Sequence, residues 1–563
     1  MRYVTHSPLF FQRGDVGFGD GFFVTLSFPK GGVFPRAHNK PPHTTLLYHM
    51  LRTTLTLLLF SLITISASAQ APAIQWQKAF GGSGDDAANC IRQTADGGYI
   101  IAGGSTSQDM DVTGHHTTTF NTNQDYWIVK ISPTGSIEWE QSFGGTDDDQ
   151  AYWIEQTTDG GYIVSGGSFS VDGDVTGSHG ASDCWVLKLS PTGGIVWQKS
   201  LGGSGSDIGS CVKQTTDGGY IVAGETNSSD GDVTGFHAPP AGSANGDMWV
   251  VKLSPSGSTE WENCYGTTGS DAAYYIQQTT DGGYMVAGTA ALDGSNGMYC
   301  VVKLSTSGTV QWRKTYGGSS ANDLTSAQQT ADGGYILSGN SYSANGDVSG
   351  NHGQSDGWIV KINDTGAIQW QKCLGGSVQD EARTIRQIAD GGYIVACITA
   401  SNDGDVTGNH GGNDAWIVQL SPTGDILWQK TIGGTDDEAA VDIRQTADNG
   451  FIFTGLALSH NGDITGLYSG INYWTVKLGP ALAVSTISDK APLTITPKPA
   501  TTTINIAGTG PVTIKIYNTM GQLIKEATNT TTISVAELPA ALYLVRLYDG
   551  QGAIVYQDKI IKE

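Results

Sequence analysis

The sequence predicts an all-β protein: a seven-bladed β-propeller closed by its own N-terminal strand, followed by a small C-terminal β-sandwich. Three observations carry this reading. A segment of roughly 50–60 residues recurs along the chain, and a fixed period of that size marks supersecondary units that bury apolar faces on their neighbours. Each copy holds a Trp, a Gly-Gly (Gly266-Thr267 in the copy led by Trp261), an Asp-Gly-Gly-Tyr or close variant, and an apolar run; the leading tryptophans are Trp76, Trp139, Trp197, Trp261, Trp312, Trp370 and Trp428. The strand count, finally, leaves one unpartnered strand at the start of the array and one incomplete unit at its end.

The second copy shows the parts. Ala151–Thr157 is a short strand, A, and Asp159-Gly160-Gly161 is a tight hairpin turn. Tyr162–Gly166 is strand B, the polar stretch Ser168 to Asp183 is a long loop, and Trp185–Leu189 is strand C. Pro191-Thr192-Gly193 turns the chain into strand D, Ile195–Leu201, which contains Trp197. Four antiparallel strands make one propeller blade. Strand B recurs from Tyr99, Tyr162, Tyr220, Tyr284, Tyr335, Tyr393 and Phe451. The last strand C is Tyr473–Leu478, with no strand D after it, while Ile74–Phe80 is a strand D with nothing before it. Joining the two closes the ring and removes the exposed edges that invite aggregation. The A–B and C–D connections are short and share one face. The long, acidic B–C and D–A loops share the other, where functional residues are expected.

The ends differ in character from the array. Met50-Leu51-Arg52, the apolar Leu55–Ile65 and the small-residue site Ala67-Ser68-Ala69 read as a secretory signal peptide over residues 50–69. Residues 1–49 then read as an upstream extension ahead of a true start at Met50. The propeller is assigned to 70–480 and the terminal sandwich to 485–563. The latter shows short alternating segments at Thr502–Ala507, Val512–Asn518, Thr531–Val535 and Leu542–Tyr548. Its run of Ile495-Thr-Pro-Lys-Pro499, Ile514–Asn518 with Met520-Gly521-Gln522, Leu538-Pro539 with Tyr543–Arg546, and Lys559–Lys562 resembles the type A C-terminal sorting domain of type IX secretion in Bacteroidetes. Pro-Lys-Pro stands where that family favours Pro-Asn-Pro, and Leu542 where it favours Gly. The resemblance implies the type IX machinery as a partner, transport across the outer membrane, and a secreted or outer-surface location. The repeats over 74–480 resemble the Gly-rich propeller repeats of secreted Bacteroidetes proteins, which implies a fold more than an activity.

Bulk properties narrow the partners. A net charge of −23 and a pI near 4.7 disfavour nucleic acid and anionic lipid and favour cations. The apolar run at 55–65 is too short to span a membrane comfortably, so no integral membrane segment is expected in the mature protein. The seven cysteines fill ordinary strand positions, with Cys90 and Cys211 in one equivalent slot and Cys264 and Cys373 in another.

Two sets of acids stand out. The D–A loops place Asp86, Asp149, Asp207, Asp271, Asp380 and Glu438 in one equivalent slot, with Asn322 in the remaining blade. These read either as a ring of channel-mouth carboxylates or as acids that fix their own loops through backbone donors. The B–C loops carry Asp172-Gly-Asp174-Val-Thr-Gly177-Ser-His179, recurring at Asp230–His237, Asn345–His352 and Asp403–His410, and more loosely at Asp109–His115 and Asn461–Gly466. An acid or amide precedes strand C at Asp125, Asp183, Asp247, Asp356, Asp414 and Asn472. Blade 4 lacks both features, with a short Leu292–Met298 loop, so the two are expected to touch. Oxygen-rich loops of this kind suit Ca²⁺. The candidate Ca²⁺ ligands are Asp172, Asp174, Asp183, Asp230, Asp232, Asp247, Asp403, Asp405 and Asp414; the alternative is a hydrogen-bonded loop clasp. The histidines His115, His179, His237, His352 and His410 fall one per blade, too far apart for zinc. Trp127, Trp185 and Trp249 read as inter-blade packing.

No H-E-x-x-H or P-loop is present, and the G-x-S-x-G string Gly353-Gln-Ser355-Asp-Gly357 leads from a loop into an apolar strand, not through the strand-to-helix elbow that a nucleophile needs. The favoured function is therefore binding to glycan or protein through the acidic loop face. A polysaccharide-degrading enzyme and a structural surface component remain as alternatives. The deviant fourth blade and the Gly235–Gly246 insertion of blade 3 mark where a unique site is expected.

Overall fold

The computed structural model describes residues 70–116, 123–238, 245–291, 296–480, 494–507, 512–518, 522–548 and 554–563. The segments read as upstream extension and signal peptide lie outside these, as do Met520, Gly521 and the middle of the two irregular loops in blades 3 and 4. Among the described residues every regular element is a β-strand.

Residues 74–478 form seven four-stranded antiparallel sheets. Six are built from consecutive strands A, B, C and D. Blade 2, for example, is Asp149–Gln156, Tyr162–Ser168, Asp183–Leu189 and Ile195–Leu201. The seventh takes Glu438–Gln445, Phe451–Ala457 and Asn472–Leu478 as A, B and C, and Ile74–Phe80 as D. That strand pairs from Ile74 opposite Leu478 to Phe80 opposite Tyr473. Strands A pack against the strands A of both neighbouring blades, so they form the inner wall.

Burial follows position in the blade. Strands B and C are covered on both faces by the adjoining sheets and read as near-continuous apolar runs; Tyr162–Ser168 and Asp183–Leu189 are buried throughout. Strand D is outermost and half exposed, as in Ile195–Leu201. Strands A and C both begin earlier than the apolar pattern indicates. Asp149 and Asp183, read as loop residues, are the first paired residues of their strands, opposite Ser168 in each case.

Three repeated contacts join the blades. Each strand-D Trp packs its ring against the aromatic that opens strand B of the next blade: Trp139 on Tyr162 at 5.8 Å, Trp197 on Tyr220 at 5.6 Å, and across the closure Trp76 on Tyr99 at 6.1 Å. Such pairs add about 0.5–1.5 kcal/mol beyond the area they bury. The Gln that ends each strand A accepts the backbone N–H of the preceding blade's A–B turn, as Gln156 does from Ala95 at 2.8 Å and Gln93 from Ala447 at 2.9 Å. Finally, Tyr126, Tyr299 and Tyr473 donate their hydroxyls across a junction to the backbone of Trp185, Trp358 and Trp127. The strand-C tryptophans are buried as expected, and their indole N–H groups are met by strand D, as Trp185 by Gln198 Oε1 at 2.7 Å.

Within the blade, a buried strand-C lysine ties down the A–B turn. Lys188 Nζ lies 3.0 Å from Asp159 Oδ2 and donates to the Leu189 carbonyl. Burial alone would raise Asp159, yet Thr157, Lys188 and the Gly161 amide hold its carboxyl down at about 2. Blade 6 substitutes a neutral donor, Gln419 donating to Asp390.

The C-terminal region is a sandwich of a three-stranded sheet, with Thr503–Ala507 between Thr494–Thr496 and Thr532–Ser534, and a four-stranded one ordered Leu523–Thr530, Val512–Tyr517, Ala541–Tyr548 and Ile554–Lys562. Ile495, Ile504, Ile514, Val545 and Ile560 share its core. Tyr543 donates its hydroxyl to the Pro539 carbonyl at 3.0 Å, and Leu538 is buried, which gives the Leu-Pro and Tyr of this segment a structural basis.

Deleting residues 70–80 should strip the outer strand from blade 7. Loss of buried Phe80 and half-buried Trp76 alone is expected to cost on the order of 3–5 kcal/mol. A melting temperature unchanged by the deletion would contradict the role given to this strand.

Candidate functional site

The first residue of each strand A is Asp86, Asp149, Asp207, Asp271, Asn322, Asp380 or Glu438, and all are fully buried. They do not stand free at a channel mouth. Asp86 Oδ2 accepts the Gly82 amide at 2.8 Å and the Ser107 hydroxyl at 2.9 Å, while Ser105 donates to Oδ1. Asp207 repeats this with Gly203, Ser228 and Thr226, and Asp380 with Gly376, Ser401 and Thr399. Glu438 instead accepts the amides of Gly434 and Ser459. The geometry joins each D–A loop to the end of strand B.

The first residue of strand C makes a second clasp. Asp183 Oδ2 accepts the His179 amide at 2.6 Å. Asp247, Asp356 and Asp414 take both the amide and ring Nδ1 of His237, His352 and His410. In blade 1 this role belongs to His116, not to His115, which the motif spacing had singled out; His116 donates its amide to Asp125 at 2.8 Å, and its Nδ1 lies 2.7 Å away. His115 Nε2 lies 3.1 Å from the Ser105 carbonyl instead. Blade 7 replaces the histidine by Tyr468, whose amide donates to Asn472 Oδ1. Burial pushes the Asp183, Asp247, Asp356 and Asp414 carboxyls up, against these donors.

The Asp-Gly-Asp acids are placed apart from one another in function. Asp172, Asp230 and Asp403 accept the amides of Thr146, Ser204 and Ser377 in the adjoining D–A loop, at 2.7–2.8 Å. Asp174 and Asp232 face the Gly144 and Gly202 amides at 3.4 Å, and Asp405 lies 3.9 Å from Lys372. The ring Nε2 of the preceding histidine reaches two of these aspartates: His116 to Asp174 at 3.4 Å, His179 to Asp232 at 4.0 Å. The link between motif and strand C therefore runs through the histidine. Among the described residues no three His, Cys, Asp or Glu side chains converge as a ready-made metal site.

With the acids tied down, the exposed apolar groups of this face become its accessible chemistry. Phe169 and Tyr342 follow strand B in blades 2 and 5, and their amides donate to the Asp148 and Ala321 carbonyls in equivalent bonds. Phe169 is 48% exposed, Val171 71% and Tyr342 43%. Gln379 points its amide at the Tyr342 hydroxyl and bonds Glu381, which pairs with Arg383.

The least repetitive chemistry lies elsewhere, on strand A. Trp153 and Tyr275, from blades 2 and 4, meet edge to face at 5.7 Å. Arg92 and Lys213 lie over Trp153 at 4.3 and 4.9 Å, and Arg386 over Tyr275 at 5.3 Å. Burial opposes the charge on Glu155, but Lys213 and Arg92 hold its carboxyl below the ordinary value. Five blades thus contribute to one cation–aromatic cluster. A recess of about 560 Å³ beside it is lined by Arg92, Thr94, Gly97, Glu155, Gln156 and Ala447, on the short-turn face that the loop lengths had marked as plain. Sequence reasoning missed this cluster. Its only signal is the variety of residue types at the fifth and seventh positions of strand A, beside an eighth position that is Gln in every blade.

Residues 494–563 match the family of secretion-system C-terminal sorting domains. No curated protein matches the chain significantly. Solved structures that resemble it do so weakly. An extracellular domain from B. thetaiotaomicron is 9% identical with a TM-score of 0.36; the match covers 88% of this chain and 58% of that one, so the chain spans less than two thirds of it. The Pan2 WD40 domain of Neurospora crassa is 9% identical, covering 72% and 96%, with a TM-score of 0.41. The propeller is read from the strand pairing itself. In class, the molecule is a β-propeller with a secretion tail. Its last segment is a type IX C-terminal sorting domain, and the chain is exported, to the outer surface or beyond it. No helix among the described residues is long and apolar enough to cross a membrane.

Burial raises the Asp86 carboxyl from 3.8 to about 6, although Ser105, Gly82 and Ser107 pull it down. A folded value above the unfolded one contributes stability that is complete below about pH 4 and lost as pH rises through about 6. Asp86→Asn, a side chain blade 5 already carries at Asn322, should flatten the fall in melting temperature between pH 4 and 6. An identical slope in the variant would rule out Asp86 as a source of it.

Proposed function

We propose that this protein is an exported binding module that recognises glycan through the B–C and D–A loop face. The observation that carries this is the pair of exposed aromatics, Phe169 and Tyr342, at equivalent positions on loops fixed by buried clasps. An exposed ring stacks on the C–H face of a sugar, and a neighbouring amide and carboxylate take its hydroxyls. Tyr342 has that company in Gln379 and Glu381. A rigid platform loses little entropy on binding. The strand-A acids, being fully buried, are held from any substrate on this face.

The test is a polysaccharide binding screen of the exported chain, with reducing-sugar release assayed on every hit. Phe169→Ala and Tyr342→Ala should each weaken binding about tenfold, or about 1.4 kcal/mol, at unchanged melting temperature. Binding indifferent to both substitutions would refute the platform, and sugar release would replace it with an enzyme.

A further inference from the structure

The buried acids at the blade junctions raise a question of charge balance. At the junction of blades 1 and 2, Asp125 at the head of strand C faces Asp149 at the head of the next strand A. A carbon built on Gly144 would lie 2.8 Å from Asp125 Oδ1 and 2.4 Å from Asp149 Oδ2. Both residues are fully buried. The same arrangement recurs with Asp183 and Asp207 about Gly202, Asp356 and Asp380 about Gly375, and Asp414 and Glu438 about Gly433, at 2.3 to 3.0 Å. In each pair the strand-C acid has one oxygen, Oδ1, that is buried with no hydrogen-bond partner: Asp125, Asp183, Asp356 and Asp414, a feature shared by Asp247 at the junction of blades 3 and 4, where of the two acids Arg313 meets only the partner acid Asp271. Its histidine addresses the other oxygen. Two desolvated carboxylates side by side, one with an orphan oxygen, are strongly disfavoured unless a positive charge joins them.

The remaining junctions serve as internal controls. Between blades 3 and 4, Asp247 and Asp271 form the same pair about Gly266, and there the chain supplies its own cation. Arg313 Nη2 lies 3.3 Å from Asp271 Oδ1, and Nη1 donates to the Gly266 carbonyl. At the four other double-acid junctions the slot of Arg313 holds Gln198, Glu262, Gln429 and Gln77, none of them a cation. Between blades 4 and 5 the pair becomes Met298 and Asn322, with no charge at all. Between blades 7 and 1 it becomes Asn472 and Asp86, with one acid. A double acid occurs with an arginine once and without one four times.

We propose that these four junctions each bind a divalent cation, Ca²⁺ in first place, between the strand-C acid and the strand-A acid of the next blade. Two carboxylates neutralise a divalent charge, and oxygen donors suit a hard ion. Main-chain carbonyls and water complete the shell. The histidine on the far oxygen orients the ligand, as outer-shell partners do. This places the ions between blades, with Asp183 and Asp414 as ligands, and leaves Asp172, Asp230 and Asp403 to their loop amides. The inference stands apart from glycan recognition.

The exported chain, stripped by chelator and dialysed, is titrated with Ca²⁺ by calorimetry and by direct metal analysis. Four ions per chain are expected, with a rise in melting temperature. Asp183→Asn and Asp356→Asn should each remove one ion, and Asn472 shows that the fold accepts an amide in this slot. Arg313→Gln should add a fifth. Failure to take up Ca²⁺, or a count that none of the three substitutions alters, overturns the proposal; in the first case a stability that falls as pH rises would assign the balancing charge to a shared proton.

Discussion

Pairing of the first strand with the last blade is the constraint on which the rest depends. Six sheets can form from contiguous sequence, but each leaves a face that only a neighbouring sheet can cover. The seventh cannot be completed without Ile74–Phe80 beside Asn472–Leu478. That pairing sets Trp76 on Tyr99, brings Ala447 to Gln93, and places Arg92 against Asp442 at the inner wall. At the same closure, strand A of blade 1 packs on strands A, B and C of blade 7.

Given a closed ring, polar groups at the junctions have nowhere to go but to one another. The chain solves this with short-range anchors repeated by sequence: Gln to a turn amide, Lys to a turn Asp, strand-A acid to loop amide and hydroxyl. Each converts a loop into part of the scaffold. The result is a face whose backbone is fixed while residues such as Phe169 and Tyr342, which take no part in the clasps, are free to vary. The contrast between committed acids and uncommitted aromatics is the ground of the proposed glycan recognition.

Much of the fold was legible because its signals are periodic. Alternation, Asp-Gly turns and the orphan strand at Ile74–Phe80 defined blades and ends. What was hidden was the role of residues within a strand. Asp149 and Asp183 look like loop acids because the apolar run starts after them, yet backbone pairing extends to include them and their side chains turn inward. His115 and His116 are adjacent and identical, and only the bond to Asp125 separates them. The cluster around Trp153 and Tyr275 depends on side chains from five blades converging, which no local pattern reports. Likewise the pairing of Asp125 with Asp149 crosses a blade boundary, which the repeat pattern of either blade alone does not show.

The closing strand also bears on how such a chain acquires its structure. Gln77 and Trp474, bonded in blade 7, stand 397 positions apart. Contacts of such separation form late, because loop-closure entropy must be met before they contribute. A chain emerging N-terminus first would therefore hold Ile74–Phe80 without a partner until the last blade followed it out. Until then the assembling sheets present an open strand edge at either end, the form in which a β-protein is most prone to pair with another copy of itself.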